Sequence, residues 1–156
     1  MLKVLIAEDD LMIADLAEKI LVEHGYEVCG IARTVPEAVA LGQRHKPDLA
    51  VLDLRLADGG LGTEVAAQLD DGHRPGVLYA SGNISNVMLT ATDGDACLAK
   101  PYRSSDLLRS LEIVNDIVTT GKAVPPYPRV MLYLTYRRKA DINGPSGENR
   151  VSSSAG

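Results

Sequence analysis

The chain has 156 residues, 46% hydrophobic and 24% charged, with a formal net charge of −5; on a prior of about 150 residues per domain this is one domain with an appendage. The composition sits at the soluble globular average and excludes a wholly disordered chain, a collagen-like repeat and a coiled coil. Residues 1–120 hold 10 Lys/Arg against 19 Asp/Glu, while 121–156 hold 6 against 2, so the acidic body argues against general nucleic-acid binding and only the basic tail keeps that question open.

No apolar run approaches the ~20 residues of a membrane helix, and no charged stretch leads into an apolar signal segment, so no membrane contact and a cytoplasmic location are expected. Cys29 and Cys97 lie in apolar runs, which suits buried thiols better than a disulfide framework. With no Trp and no Phe, Leu, Val, Ile and Ala must fill the core.

Two periodicities alternate along the chain. Residues 3–7 (KVLIA) read as a buried strand. Ile13, Leu16, Ala17, Ile20 and Leu21 then mark one face of a helix that Gly25 stops. Residues 26–32 form a second strand. Thr34 and Glu37 make a capping box for a helix starting near Pro36 and ending before Lys46-Pro47. Residues 49–54 (LAVLDL) are a third strand, glycines 59, 60 and 62 a loop, and residues 63–69 a third helix. Residues 77–81 are strand four. From Gly82 to Thr92 no period is clean, and a short, irregular helix is expected. Residues 96–99 are strand five, ended by Lys100-Pro101. Ser104 or Ser105 caps a last helix, whose stripe is Leu107, Leu108, Leu111, Val114 and Val118 and whose end is Gly121.

The pattern is (βα)₅ with almost wholly apolar strands, as in a parallel sheet buried on both faces. Right-handed crossovers give a doubly wound, three-layer α/β sandwich of the flavodoxin-like kind, five-stranded in the order 2-1-3-4-5. The domain spans 1–121. The extension 122–156 is Pro-rich first, with Pro125-Pro126-Tyr127-Pro128 expected in polyproline II. It is then apolar and strand-prone over 130–136, either a docked strand or an interface. It is Ser-, Gly- and charge-rich from Arg137 on, where disorder is expected.

The acidic clusters fall at the carboxyl ends of strands: Glu8, Asp9 and Asp10 after the first, Asp53 closing the third. Ligands bind in that crevice of an open α/β sheet, and the 2-1-3-4-5 order sets Asp9 against Asp53. Such carboxylates either raise their pKa values or recruit a cation; hard oxygen ligands around an open site suit Mg²⁺. The alternative is that Glu8–Asp10 cap the first helix. Ser81 ends strand four with a hydroxyl and Lys100 ends strand five with an ammonium, before a proline whose peptide bond can be cis. A carboxylate, a divalent cation, a hydroxyl and a fixed cation suit phosphoryl transfer to Asp: the carboxylate attacks phosphorus and the others neutralise the equatorial oxygens.

Four segments carry a family resemblance: Leu5-Ile6-Ala7-Glu8-Asp9-Asp10, Asp48-Leu49-Ala50-Val51-Leu52-Asp53-Leu54, Leu78-Tyr79-Ala80-Ser81-Gly82-Asn83 and Lys100-Pro101-Tyr102. In order and spacing, residues 1–120 resemble a CheY-like receiver domain of two-component response regulators. The resemblance implies Asp53 as phosphoacceptor, Asp9 as a direct Mg²⁺ ligand, Glu8 as a ligand through water, and the main-chain carbonyl of Arg55 as a further ligand. Ser81 and Lys100 take the places of the family's hydroxyl and lysine. Where many receivers carry a switch aromatic, three residues before the lysine, this chain has Cys97. The Tyr-Ala-Ser-Gly-Asn run resembles a subgroup lacking that aromatic. The switch is therefore assigned to Gly82, Asn83, Cys97 and Tyr102, with an order change over 82–92 on phosphorylation.

The resemblance implies a single-domain response regulator, not an enzyme beyond its own phosphorylation and dephosphorylation. Its donor would be a sensor histidine kinase or phosphotransfer protein. Its output would be an unidentified downstream protein or onward relay of the phosphoryl group, with a homodimer also open. The rivals are a DNA-binding regulator using Arg137, Arg138, Lys139 and Arg150, an aspartyl-nucleophile phosphatase, and a pseudo-receiver that works without phosphorylation. His24, His45 and His73 sit near helix ends without metal spacing. Gly59-Gly60-Leu61-Gly62 lacks the lysine of a phosphate loop.

Overall fold

The computed structural model describes residues 1–70, 72, 74–82, 89, 93–128, 131–133 and 150–152. Among them five parallel strands alternate with helices: β1 (Lys3–Ala7), α1 (Leu11–Glu23), β2 (Glu27–Ala32), α2 (Val35–His45), β3 (Leu49–Asp53), α3 (Gly62–Gln68), β4 (Gly76–Ser81), β5 (Ala96–Ala99) and α4 (Ser104–Thr120). A 3₁₀ turn over Ala57–Gly59 precedes α3. The strands lie in the order β2-β1-β3-β4-β5, all parallel, which is the expected doubly wound sheet.

The sheet does not stop there. The extension contributes β6 (Met131–Tyr133), antiparallel to β5, and β7 (Arg150–Ser152), antiparallel to β6. Residues 150–152 are thus ordered where disorder is expected, because the outer edge of β6 offers unpaired backbone groups to a returning chain. The Pro125–Pro126 bond is cis and the chain bends at Pro125, so the run is not one continuous polyproline II segment. Of the expected helix over 82–92 only Gly82 and Leu89 are described; the rest of it, Asn83 included, His73 and the basic residues 137–139 lie outside the described residues.

The elements begin where their residues satisfy backbone groups. The Asp10 carboxylate accepts from the N–H groups of Met12 (3.0 Å) and Ile13 (3.4 Å), capping α1. Thr34 Oγ1 accepts from Glu37 N–H at 3.3 Å, and the Glu37 carboxylate reaches back to Arg33 N–H at 3.0 Å. The last helix starts differently from expectation. Arg103 holds the cap position, and the Asp106 carboxylate accepts from its N–H at 3.3 Å; Ser104 and Ser105 lie inside the first turn. Gly121 ends α4 in the left-handed region, φ 77°.

Each face of the sheet has its own core. On one face, Leu5, Ala50, Leu52 and Val77 pack with Val35, Ala38 and Val39 of α2 and Val65 and Ala66 of α3. On the other, Val4, Ile6, Val51, Leu78 and Leu98 pack with Ala14, Ala17 and Leu21 of α1 and Leu107, Leu111 and Val114 of α4. Tyr79 is the largest fully buried side chain. Its hydroxyl donates to the Asp93 carbonyl, and a Cβ on Gly94 would meet the ring at 2.5 Å. Burial raises the Tyr79 pKa above its ordinary value, with Asp93 adding to the effect.

Candidate functional site

The carboxyl ends of β1, β3, β4 and β5 converge because the parallel order sets β1 beside β3, β3 beside β4 and β4 beside β5. Glu8 follows β1 and is held by a bond from its N–H to the Ala32 carbonyl, 2.9 Å. Asp53 is the last residue of β3, opposite Ala80 of β4. Its carboxylate accepts from Arg55 N–H at 3.4 Å. Ser81 closes β4 opposite Ala99, and its carbonyl accepts from Lys100 N–H at 2.8 Å. Lys100 is followed by a cis bond to Pro101.

Oxygens of Glu8, Asp9 and Asp53 all lie within 4.8 Å of one another. Asp10, by contrast, is spent on the α1 cap, so the run after β1 splits into two site carboxylates and one helix cap. Lys100 Nζ donates to Glu8 Oε1 at 2.6 Å and stands 3.2 Å from Asp53 Oδ2. The Glu8 side chain is 5% exposed and that of Asp53 14%. These values make the pocket a partly desolvated charge cluster rather than a surface ion pair.

Burial is the main reason that the Glu8 carboxyl is pushed up to about 8; the Asp53 carboxylate beside it works the same way and Lys100 works against it. For Lys100, burial disfavours the ammonium, but the bonds and charges of Glu8 and Asp53 outweigh it and hold its pKa above the ordinary range. A cavity of about 10 Å³, roughly the space of one water, lies between the carboxylates and an apolar floor. Ile13, Ala14, Val51 and Tyr102 line that floor. Burial also raises the Tyr102 hydroxyl pKa.

Three of the four positions assigned to a switch are described. Tyr102 borders the cavity. Gly82 follows Ser81, and a Cβ there would meet nothing within 4 Å. Cys97 is fully buried on the other face of the sheet, opposite Tyr79 and paired on its far side with Leu132. Burial pushes its thiol up to about 12. Both cysteines are free, and Cys29, on edge strand β2, is only half-buried. The Lys100–Glu8 bond spans 92 positions. No local pattern signals it; only the sheet order brings the two together.

The model of the response regulator receiver domain matches residues 4–112. The chain belongs to the response regulator receiver family. Among curated proteins it is 36% identical over 115 residues to the transcriptional regulatory protein PdtaR of Mycobacterium tuberculosis, covering 71% of this chain and 55% of that protein. It is 33% identical over 132 residues to the photosynthetic apparatus regulatory protein RegA of Rhodobacter capsulatus, covering 80% and 65%. The chain therefore spans between about half and two thirds of these relatives. A solved CheY-like receiver domain protein from Methanospirillum hungatei superposes with a TM-score of 0.69 at 28% identity, covering 78% of this chain and 99% of that one.

A receiver domain is a signalling domain, and receiver domains interact with histidine kinases or phosphotransfer proteins. They bind Mg²⁺ at an acidic pocket, and this receiver domain's pocket fits that ion. Its donors are all hard oxygens, and Glu8 Oε2 is buried without a hydrogen-bond partner, an acceptor that a hydrated cation would satisfy. Among the described residues no helix is long and apolar enough to cross a membrane.

Proposed function

We propose that this receiver domain accepts a phosphoryl group on Asp53 from a histidine kinase or phosphotransfer protein and signals by changed partner binding or by passing the group on. One observation supports this above the others. The Asp53 carboxylate shares its pocket with two further carboxylates within 4.8 Å and has a lysine ammonium 3.2 Å away. An Asp53 oxygen attacks the phosphorus of a phosphohistidine. The P–O bond forms as the P–N bond breaks, and the leaving imidazole nitrogen takes the electron pair and then a proton.

Glu8, Asp9, Asp53 and the Arg55 carbonyl would hold Mg²⁺, Glu8 through water. The bound ion supplies charge neutralisation on the phosphoryl oxygens. Lys100 transfers its second bond from Asp53 Oδ2 to a phosphoryl oxygen while Glu8 keeps it in place, and the Ser81 hydroxyl donates to another. Gly82, Asn83, Cys97 and Tyr102 are the positions through which the change spreads, by an order change over 82–92 rather than by a swinging aromatic. The setting is the cytoplasm.

Intact mass after incubation with acetyl phosphate tests the reading. A gain of one phosphoryl group is expected with Mg²⁺, and none without Mg²⁺ or in Asp53→Asn. A gain that survives Asp53→Asn would overturn the assignment. Hydrogen exchange over 82–92 that is unchanged on phosphorylation would overturn the proposed switch.

A further inference from the structure

The extension is fastened to the domain in two stages. After Gly121 the chain runs back along α4. Arg109 donates from Nη2 to the Val124 carbonyl at 2.7 Å and from Nε to the Pro126 carbonyl at 2.9 Å. The Tyr127 hydroxyl donates to the Ala123 carbonyl at 3.1 Å, and both residues pack against the α4 side of the core. The second stage is β6. Among the described residues it meets β5 through the pairs Leu98–Met131, Cys97–Leu132 and Ala96–Tyr133.

Met131 anchors that strand. It is fully buried, in the cluster that holds Ala96, Leu98, Leu107 and Leu111. With β6 absent, the outer backbone groups of β5 would face solvent beside that apolar seat, the arrangement that accepts an added strand. β6 and β7 together form the outermost part of the sheet; a terminal strand pair of this kind, tethered by a linker that stays on α4, belongs to the low-stability end of local opening.

We propose that the outer edge of β5 and the adjoining face of α4 form a strand-binding slot. It is filled in cis by residues 131–133 and opens to an extended segment of a partner protein that pairs antiparallel with β5. That segment presents an unbranched apolar side chain opposite Leu98, in the seat of Met131. The extension is then a built-in competitor for the output surface. Lys100 follows β5 directly, so the slot and the acidic pocket share one strand; the inference holds whatever chemistry Asp53 performs.

Two measurements on the full chain test this. In native-state hydrogen exchange, amides of 131–133 should exchange about 100-fold faster than those of β4; equal protection would overturn the proposal. A synthetic peptide of residues 128–135 should bind full-length Met131→Asp and protect Ala96–Ala99. It should bind wild type at least about tenfold more weakly, because the closed slot taxes its apparent affinity. Equal affinity for both proteins, or binding to neither, would overturn it. Should Met131→Asp not fold, Arg109→Gln, which frees the linker and leaves the core intact, carries the same comparison.

Discussion

Glu8 concentrates the electrostatic strain of the pocket. Its carboxyl titrates near 8 in the folded protein against 4.5 in the unfolded chain, chiefly because it is buried and secondly because Asp53 is beside it. Between those values the folded state holds the extra proton, so stability falls as pH rises from 4.5 to about 8 and levels off above. The raised Lys100 adds no slope in that window, since its stabilising charge is lost only above its ordinary range. Urea denaturation of metal-free protein at several pH values should show this decline, and Glu8→Gln should flatten it. At Cys97 packing decides. The side chain is fully buried, on a strand that pairs Cys97 with Tyr79 of β4 and with the backbone of Leu132 of β6. Cys97→Tyr, which would place an aromatic where many receivers have one, should cost about 2 kcal/mol by overpacking. An unchanged urea midpoint would show room there for a ring.

At the scale of elements, the run Glu8-Asp9-Asp10 divides between two tasks. Asp10 belongs to α1, whose first amides it caps. Asp10→Ala should cost about 1 kcal/mol and leave Mg²⁺ affinity nearly unchanged, whereas Asp9→Ala should leave stability nearly unchanged and weaken Mg²⁺ binding. Magnesium titration with denaturation of both variants separates the roles. The start of α3 is the second junction. A Cβ on Gly62 would lie 2.2 Å from the Asp53 carbonyl oxygen, a backbone atom that no rotamer change can move. Gly62→Ala should therefore cost about 3 kcal/mol and slow phosphoryl gain from acetyl phosphate as Asp53 is pushed aside. Fast labelling in this variant would show that Asp53 tolerates the shift.

Across the whole molecule, charge and core are built from opposite materials. The interior holds almost only aliphatic side chains in two layers, with Tyr79 as its one large, fully buried aromatic among the described residues. Four carboxylates gather at one end of the sheet, and a single lysine answers two of them. A cation that binds only the folded pocket must stabilise the whole fold by mass action. Mg²⁺ at 100 times its dissociation constant should add about 2.7 kcal/mol, read as a rise in Tm that Asp53→Asn largely removes. A Tm indifferent to Mg²⁺ would exclude the ion from the pocket.

Much of this was legible from local order in the chain. Continuous apolar runs and stripes of period 3.6 mark every parallel strand and each described helix to within a residue or two, because burial on both sheet faces leaves almost no polar residue in β1, β3, β4 and β5. Glu8, Asp9, Asp53, Ser81 and Lys100 were legible as strand-end residues, since a parallel sheet sends all its carboxyl ends to one rim. What depends on distance was not legible. The Lys100–Glu8 bond and the seat of Met131 each join residues set by strand order. Local periodicity records which face a residue takes. Only the assembled sheet decides which other residue it meets there.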